Sequence, residues 1–91
     1  MTCYMFRWNE LRGDEFDDWG HATYYFEVDA DGTVVKQMEL YTNGVALHYD
    51  ENHRYDGYGS LNDRLFDPFA TSEIPKTEFY LVWNAYKPYN R

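Results

Sequence analysis

The sequence has one cysteine, three prolines, eight basic residues against sixteen acidic ones, and no long apolar run. Each shortage removes a class of protein. A single cysteine forbids an internal disulfide and leaves Cys3 without a thiol partner for a zinc site, so a reducing compartment is expected. No stretch is long and apolar enough to span a membrane, and neither end shows a basic region followed by an apolar run. A soluble, cytoplasmic protein is the expectation, with no membrane partner. The scarcity of lysine and arginine argues against direct nucleic acid binding, because a net charge of −8 repels phosphates. A chain of 91 residues makes one domain, residues 1–91, with room for one core but not for a deeply enclosed active site.

The acidic excess is concentrated. Residues 1–50 carry ten acids against three bases, whereas residues 51–91 carry six against five. Within the first half, Glu10, Asp14, Glu15, Asp17 and Asp18 crowd one connection with only Arg12 to offset them. A solvated loop kept acidic for solubility is the plain reading. A field that attracts basic protein surfaces is the functional one.

Strands can be read with their turns. Asn43-Gly44 reads as a two-residue hairpin turn that pairs Thr42 with Val45, Leu40 with Leu47 and Met38 with Tyr49. Ala30-Asp31-Gly32 reads as a three-residue loop that sets Val28 opposite Val34, Phe26 opposite Lys36 and Tyr24 opposite Met38. A register placing Phe26 beside Gln37 is rejected, since it puts Glu27 among apolar side chains. The outer face then carries Thr23, Tyr25, Glu27, Val35, Gln37, Glu39, Tyr41, Ala46 and His48. Near the start, Tyr4, Phe6 and Trp8 alternate with Cys3, Met5 and Arg7, which predicts a further strand with its aromatics inward. Phe79, Val82, Trp83 and Tyr86 recur on one helical face, with Pro75 suited to the first turn and Pro88 just past the end. The fold class expected is α+β: an antiparallel sheet of about four strands with one C-terminal helix packed on one face. The segment from Asp50 to Ser72 shows no period and reads as an ordered connection with a short helical turn at 60–66.

Motifs that suggest chemistry mostly dissolve on inspection. Glu27, Asp29, Asp31 and Gly32 match the opening of a calcium loop, but Met38 occupies the place of the bidentate glutamate and the flanks are strands. His21, His48 and His53 lack the spacing of a zinc site, and neither a metal nor a cofactor is expected. Glu39 and His48 fall directly opposite each other in the Asn43-Gly44 register, which is the core of an acid–base pair or an ordinary cross-strand contact. Cys3 is a small buried residue before it is a nucleophile.

Aromatic residues make up 21% of the chain, including ten tyrosines. The apolar face and the helix account for fewer than half of them. Tyr25, Tyr41, Trp19, Tyr55 and Tyr58 are left as amphipathic side chains of the kind enriched at protein interfaces.

The run TYYFEVDADGTVVKQMELYTNGVALHYDENHRYDGYGSL, with the early FRW and the late EFYLVW, resembles a group of small acidic bacterial proteins described only as a domain of unknown function. Its most specific parts are YYFEVDADG, the NG turn, and Tyr58, Gly59 and Leu61. The resemblance implies a bacterial, cytoplasmic, single-domain protein and carries over no activity and no site residue. Pro75 departs from it, standing where a serine-like helix cap is expected.

The leading functional expectation is an immunity or inhibitor protein that neutralises a protein partner with a basic site. Asp14, Glu15, Asp17, Asp18, Trp19, Tyr25 and Tyr41 are its binding candidates, the acids steering association and the aromatics slowing dissociation. The rival is a small enzyme or ligand-binding domain using Glu39 and His48. A third reading is a structural or regulatory module that forms a symmetric homodimer through the outer sheet face.

Overall fold

Gly32 and Gly44 both adopt positive φ, at +85° and +93°, whereas Asp31 and Asn43 do not. A two-residue turn of the Asn-Gly type needs positive φ at both central positions. Both hairpins therefore close through three-residue loops with glycine last. In the computed structural model, which describes residues 1–91, Tyr41 N–H donates to Val45 O and Gly44 N–H donates to Tyr41 O, so the loop is Thr42-Asn43-Gly44. That single extra residue shifts the ladder.

Strand β3 (Val34–Tyr41) pairs with β4 (Ala46–Asp50) as Leu40 to Ala46, Glu39 to Leu47, Met38 to His48 and Gln37 to Tyr49. The expected partners Leu40 and Leu47, and Met38 and Tyr49, do not meet. On its other side β3 pairs with β2 (Ala22–Val28), and here the Val28 to Val34 pair forms as expected. The ladder then skips Val35, and Glu27 pairs with Lys36, Phe26 with Gln37 and Tyr24 with Glu39. The register rejected from sequence is thus adopted beyond a bulge, because an extra residue in one strand flips every side chain after it to the other face.

Strand β1 (Thr2–Trp8) pairs antiparallel with β2, and a short fifth strand, β5 (Ser72–Ile74), pairs with the first half of β1. The sheet order is β4-β3-β2-β1-β5. Sequence periodicity misses β5 because three residues carry no period. The architecture is α+β with one antiparallel sheet and one C-terminal helix, α1 (Lys76–Ala85). Pro75 sits just before α1 rather than within its first turn and supplies no side-chain cap; its carbonyl accepts from Glu78 and Phe79. No helical turn forms at 60–66, but a short 3-10 turn does form at Asp17–Trp19. No helix is long and apolar enough to cross a membrane.

Directly paired residues share a face, so the register decides what each layer contains. One face gathers Tyr4, Phe6, Tyr24, Phe26, Gln37, Glu39, Tyr41, Leu47 and Tyr49. The loops cover it, with Trp19 and Leu61 joining the buried cluster and Phe16, Tyr58 and Phe66 packed against it. The other face gathers Cys3, Met5, Tyr25, Glu27, Lys36, Met38 and His48, and α1 lies on it, with Phe79 and Trp83 stacked and Trp83 4.2 Å from His48. Met38, Tyr49 and Phe79 are at most 1% exposed, and such side chains each contribute about 1.5–3 kcal/mol by leaving water. Helix α1 lies on one face and the loops on the other, so neither is the bare outer face expected, although Arg7, Thr23 and Leu40 at one end of the helix side still line an open cleft.

Polar residues inside the loop-covered layer are paired. Tyr41 Oη donates to Glu39 Oε1, Gln37 Nε2 donates to Glu39 Oε2 and to Ser60 O, and Asn62 N–H donates to Gln37 Oε1. An unpaired buried polar group costs about 1–3 kcal/mol, so this closed network is what makes the mixed register tolerable.

Candidate protein-binding surface

Arg12 organises the acidic loop. Its guanidinium lies 5.3–5.6 Å from the ring centroids of Phe16, Trp19 and Tyr41. From there it donates to Tyr41 Oη at 2.8 Å, to Tyr58 O at 2.6 Å and to both Asp14 carboxylate oxygens. A planar fork with several fixed donors can do all this at once, which a lysine cannot. Asp17 closes the turn by accepting from the Gly13 and Asp14 N–H groups. Asp14 is held below the ordinary carboxylate range, first by the Phe16 N–H and then by Arg12.

Two of the loop acids are therefore structural. Asp14 and Asp17 serve the loop's own geometry, while Glu10, Glu15 and Asp18 remain exposed with no ion-pair partner. Trp19 and Tyr41, expected at the surface, are 7% and 4% exposed and form the floor under Arg12. Tyr41 is pushed up by burial and then by Glu39, and Tyr24 is pushed up to about 12 by burial. Tyr25 is half-buried on the helix-covered face, away from the acidic loop.

Glu39 and His48 do not form a pair. Glu39 faces the loop layer opposite Leu47, and His48 faces α1 opposite Met38, so the sheet itself separates them. Burial raises the Glu39 carboxyl despite the hydrogen bonds it accepts from Tyr41 and Gln37. His48 Nε2 lies 2.8 Å from Tyr86 O, and burial lowers its pKa. The cross-strand pairing of Glu39 with His48 read from sequence does not form because the hairpin loop is one residue longer than read.

A groove that sequence reasoning missed opens on the loop-covered face over β1 and β2. Its volume is about 460 Å³, and Phe6, Trp8, Phe26, Leu65, Phe66 and Phe69 supply its apolar walls. Trp8, Leu65 and Phe69 are 42%, 76% and 85% exposed. The turn at Pro68–Thr71, with Ala70 at positive φ, holds Phe69 outward. Arg64 and Asp67 also line it. Trp8 connects this groove in sequence to the acidic loop, whose next residues include exposed Glu10 and Leu11. The signal for it was the unassigned apolar residues Leu65, Phe66 and Phe69 in a segment without period.

Exposed clusters of large apolar side chains are uncommon on proteins that bind nothing, and aromatic anchors beside charge are the usual composition of an interface. A scan against family models and searches among curated proteins and solved structures returned no match to this chain.

Proposed function

We propose that this chain is a protein-binding module of the immunity or inhibitor type, acting in the bacterial cytoplasm on a partner with a basic surface. The observation that carries this reading is the coexistence of exposed unpaired carboxylates on an Arg12-braced loop and an apolar groove edged by Trp8, Leu65 and Phe69. The carboxylates raise the encounter rate with a basic partner, and the aromatic side chains slow its departure. A braced loop also loses little freedom on docking, which favours affinity.

Affinity capture from the native host, followed by binding kinetics on the recovered protein, tests it. The partner is expected to be basic, with an association rate that falls as salt is added and falls roughly tenfold in the Glu10→Gln, Glu15→Gln, Asp18→Asn triple variant. A partner whose association ignores both salt and those three acids overturns the reading.

A further inference from the structure

The two edges of the sheet are finished differently. Along β4, Ala46 O accepts from Tyr89 N–H, His48 O accepts from the Arg91 guanidinium, and Asp50 and His53 exchange both main-chain bonds, so later segments of the chain cover that edge. The other edge is left incomplete. Strand β5 pairs with Cys3, Tyr4 and Met5, and it begins only at Ser72, opposite Met5, after the Pro68–Thr71 turn. The second half of β1 has no strand beside it.

Alternation identifies the main-chain groups that this exposes. Thr42 N–H donates to His21 O, so the odd residues of β2 turn their main chain toward β3 and the even ones toward β1. In the β1–β2 register the even residues of β1, through Trp8, therefore bond to β2, whereas Cys3 and Met5 bond to β5 and Arg7 and Asn9 face outward. No main-chain hydrogen bond joins Arg7 or Asn9 to a loop or to the turn before β5, and both residues are exposed. Their N–H and C=O groups form a template for one more strand.

Side chains and charge say what that strand carries. Residues directly opposite share a face, so a side chain set against Trp8 enters the apolar groove that Trp8 and Phe69 line, while its two neighbours point to the helix side, beside Arg7 and Thr23. Arg64 and Asp67 cancel in formal charge and leave the groove to apolar contact. Just past Asn9 stand the exposed carboxylates of Glu10, Glu15 and Asp18. A second copy of this chain would bring those same acids, and a net charge of −8, against their like. A basic segment meets them with opposite sign.

We infer that the partner docks through an extended segment that adds to β1 as a strand in line with β5, bonded to the Arg7 and Asn9 main chain, with one apolar side chain in the groove beside Trp8 and basic residues N-terminal to it against the Glu10 loop. This rests on the basic-partner reading and names the part of the partner that binds.

The test is a titration of the isotopically labelled full chain, followed by two-dimensional NMR, with acetylated and amidated peptides Lys-Lys-Thr-X-Thr in which X is Leu, Phe or Ser. Saturable shifts are expected at the Arg7 and Asn9 amides and the Trp8 indole, with Leu or Phe binding at least about tenfold tighter than Ser. Methylating the nitrogen of the last Thr, which points at Arg7, is expected to weaken binding by about tenfold or more, whereas methylating that of X, which points away, changes it less than about threefold. Asn9→Pro removes one outward donor just past the end of β1 and is expected to weaken the Leu peptide in the same way. The methylated peptides decide the matter even if that variant does not fold. Equal binding by both methylated peptides, or no saturable shift at Arg7 and Asn9 up to about 10 mM, overturns strand addition and leaves the basic-partner reading in place. Peptides with Ser-Ser for Lys-Lys that bind equally well overturn the basic segment and the reading beneath it. A free chain that dimerises with the Arg7 amide shielded from exchange assigns the edge to a second copy, which overturns strand addition by a partner.

Discussion

Arg12 and Tyr41 lie 29 residues apart and meet at 2.8 Å, the guanidinium Nη1 donating to the phenol oxygen that in turn donates to Glu39. One hydrogen-bonded chain thus runs from the surface acid Asp14 through Arg12 and Tyr41 to a carboxylate inside the core. The acidic loop is braced by the sheet at that point.

Replacing Arg12 by alanine removes charge-assisted hydrogen bonds and the cation over three rings at a side chain that is only 14% exposed. The expected loss is about 2–3 kcal/mol in urea unfolding, and Arg12→Lys should restore less than half of it. A loss below about 0.5 kcal/mol would show that the loop needs no brace.

Gly20 has φ of +87°, and a Cβ there would collide with the Thr42 hydroxyl. Thr42 Oγ1 donates to Trp19 O, so the crowding lies where the loop rejoins the sheet. Gly20→Ala is expected to cost more than about 2 kcal/mol, of which the backbone conformation alone (ψ −160°), one essentially confined to glycine, supplies about 1–3. Adding Thr42→Ala should return only the steric part; full recovery would mean the backbone is unstrained.

His48 carries a pH signature. Burial lowers its pKa below the ordinary 6.5, so between the two values the unfolded chain binds the proton and the folded chain does not. Stability from this group is complete above about 6.5 and is lost as pH falls through that value toward the lower folded one. Urea midpoints measured at falling pH should therefore drop across this window in the native sequence and drop less in His48→Asn. Identical slopes for the two proteins would contradict the assignment.

Phe69, at 85% exposure, adds nothing measurable to the core. Phe69→Ser should leave the unfolding free energy within about 0.5 kcal/mol while increasing the dissociation rate of a bound partner. If the substitution unfolds the protein, the side chain is a packing element and the groove loses its anchor.

Four of the five strands and the helix were legible because each depends on local pattern. Alternation in residues 2–8, the glycines after Ala30-Asp31 and Thr42-Asn43, and the spacing of Phe79 and Trp83 all appear where their chemistry places them. The length of the first hairpin loop was legible, but that of the loop ending at Gly44 was not. A glycine at positive φ ends a two-residue or a three-residue loop equally well, yet the choice moves Leu47 from Leu40 to Glu39 and separates Glu39 from His48. The groove was hidden for a related reason: Leu65, Phe66 and Phe69 belong to a segment without a repeating pattern, and only its path across β1 and β2 gives them a common side.

Composition and spacing alone determined the class of fold, the crowding of carboxylates between β1 and β2, and where the chain turns. The three-dimensional arrangement decided which residues share a layer. It buried Trp19, Tyr41 and Glu39, left Trp8 and Phe69 in water, and set Lys36 and Met38, not Val35 and Gln37, on the helix-covered face through one bulge. The reason is geometric: side chains alternate with a period of two, so a single inserted residue, invisible to propensity, exchanges inside for outside along the rest of the strand.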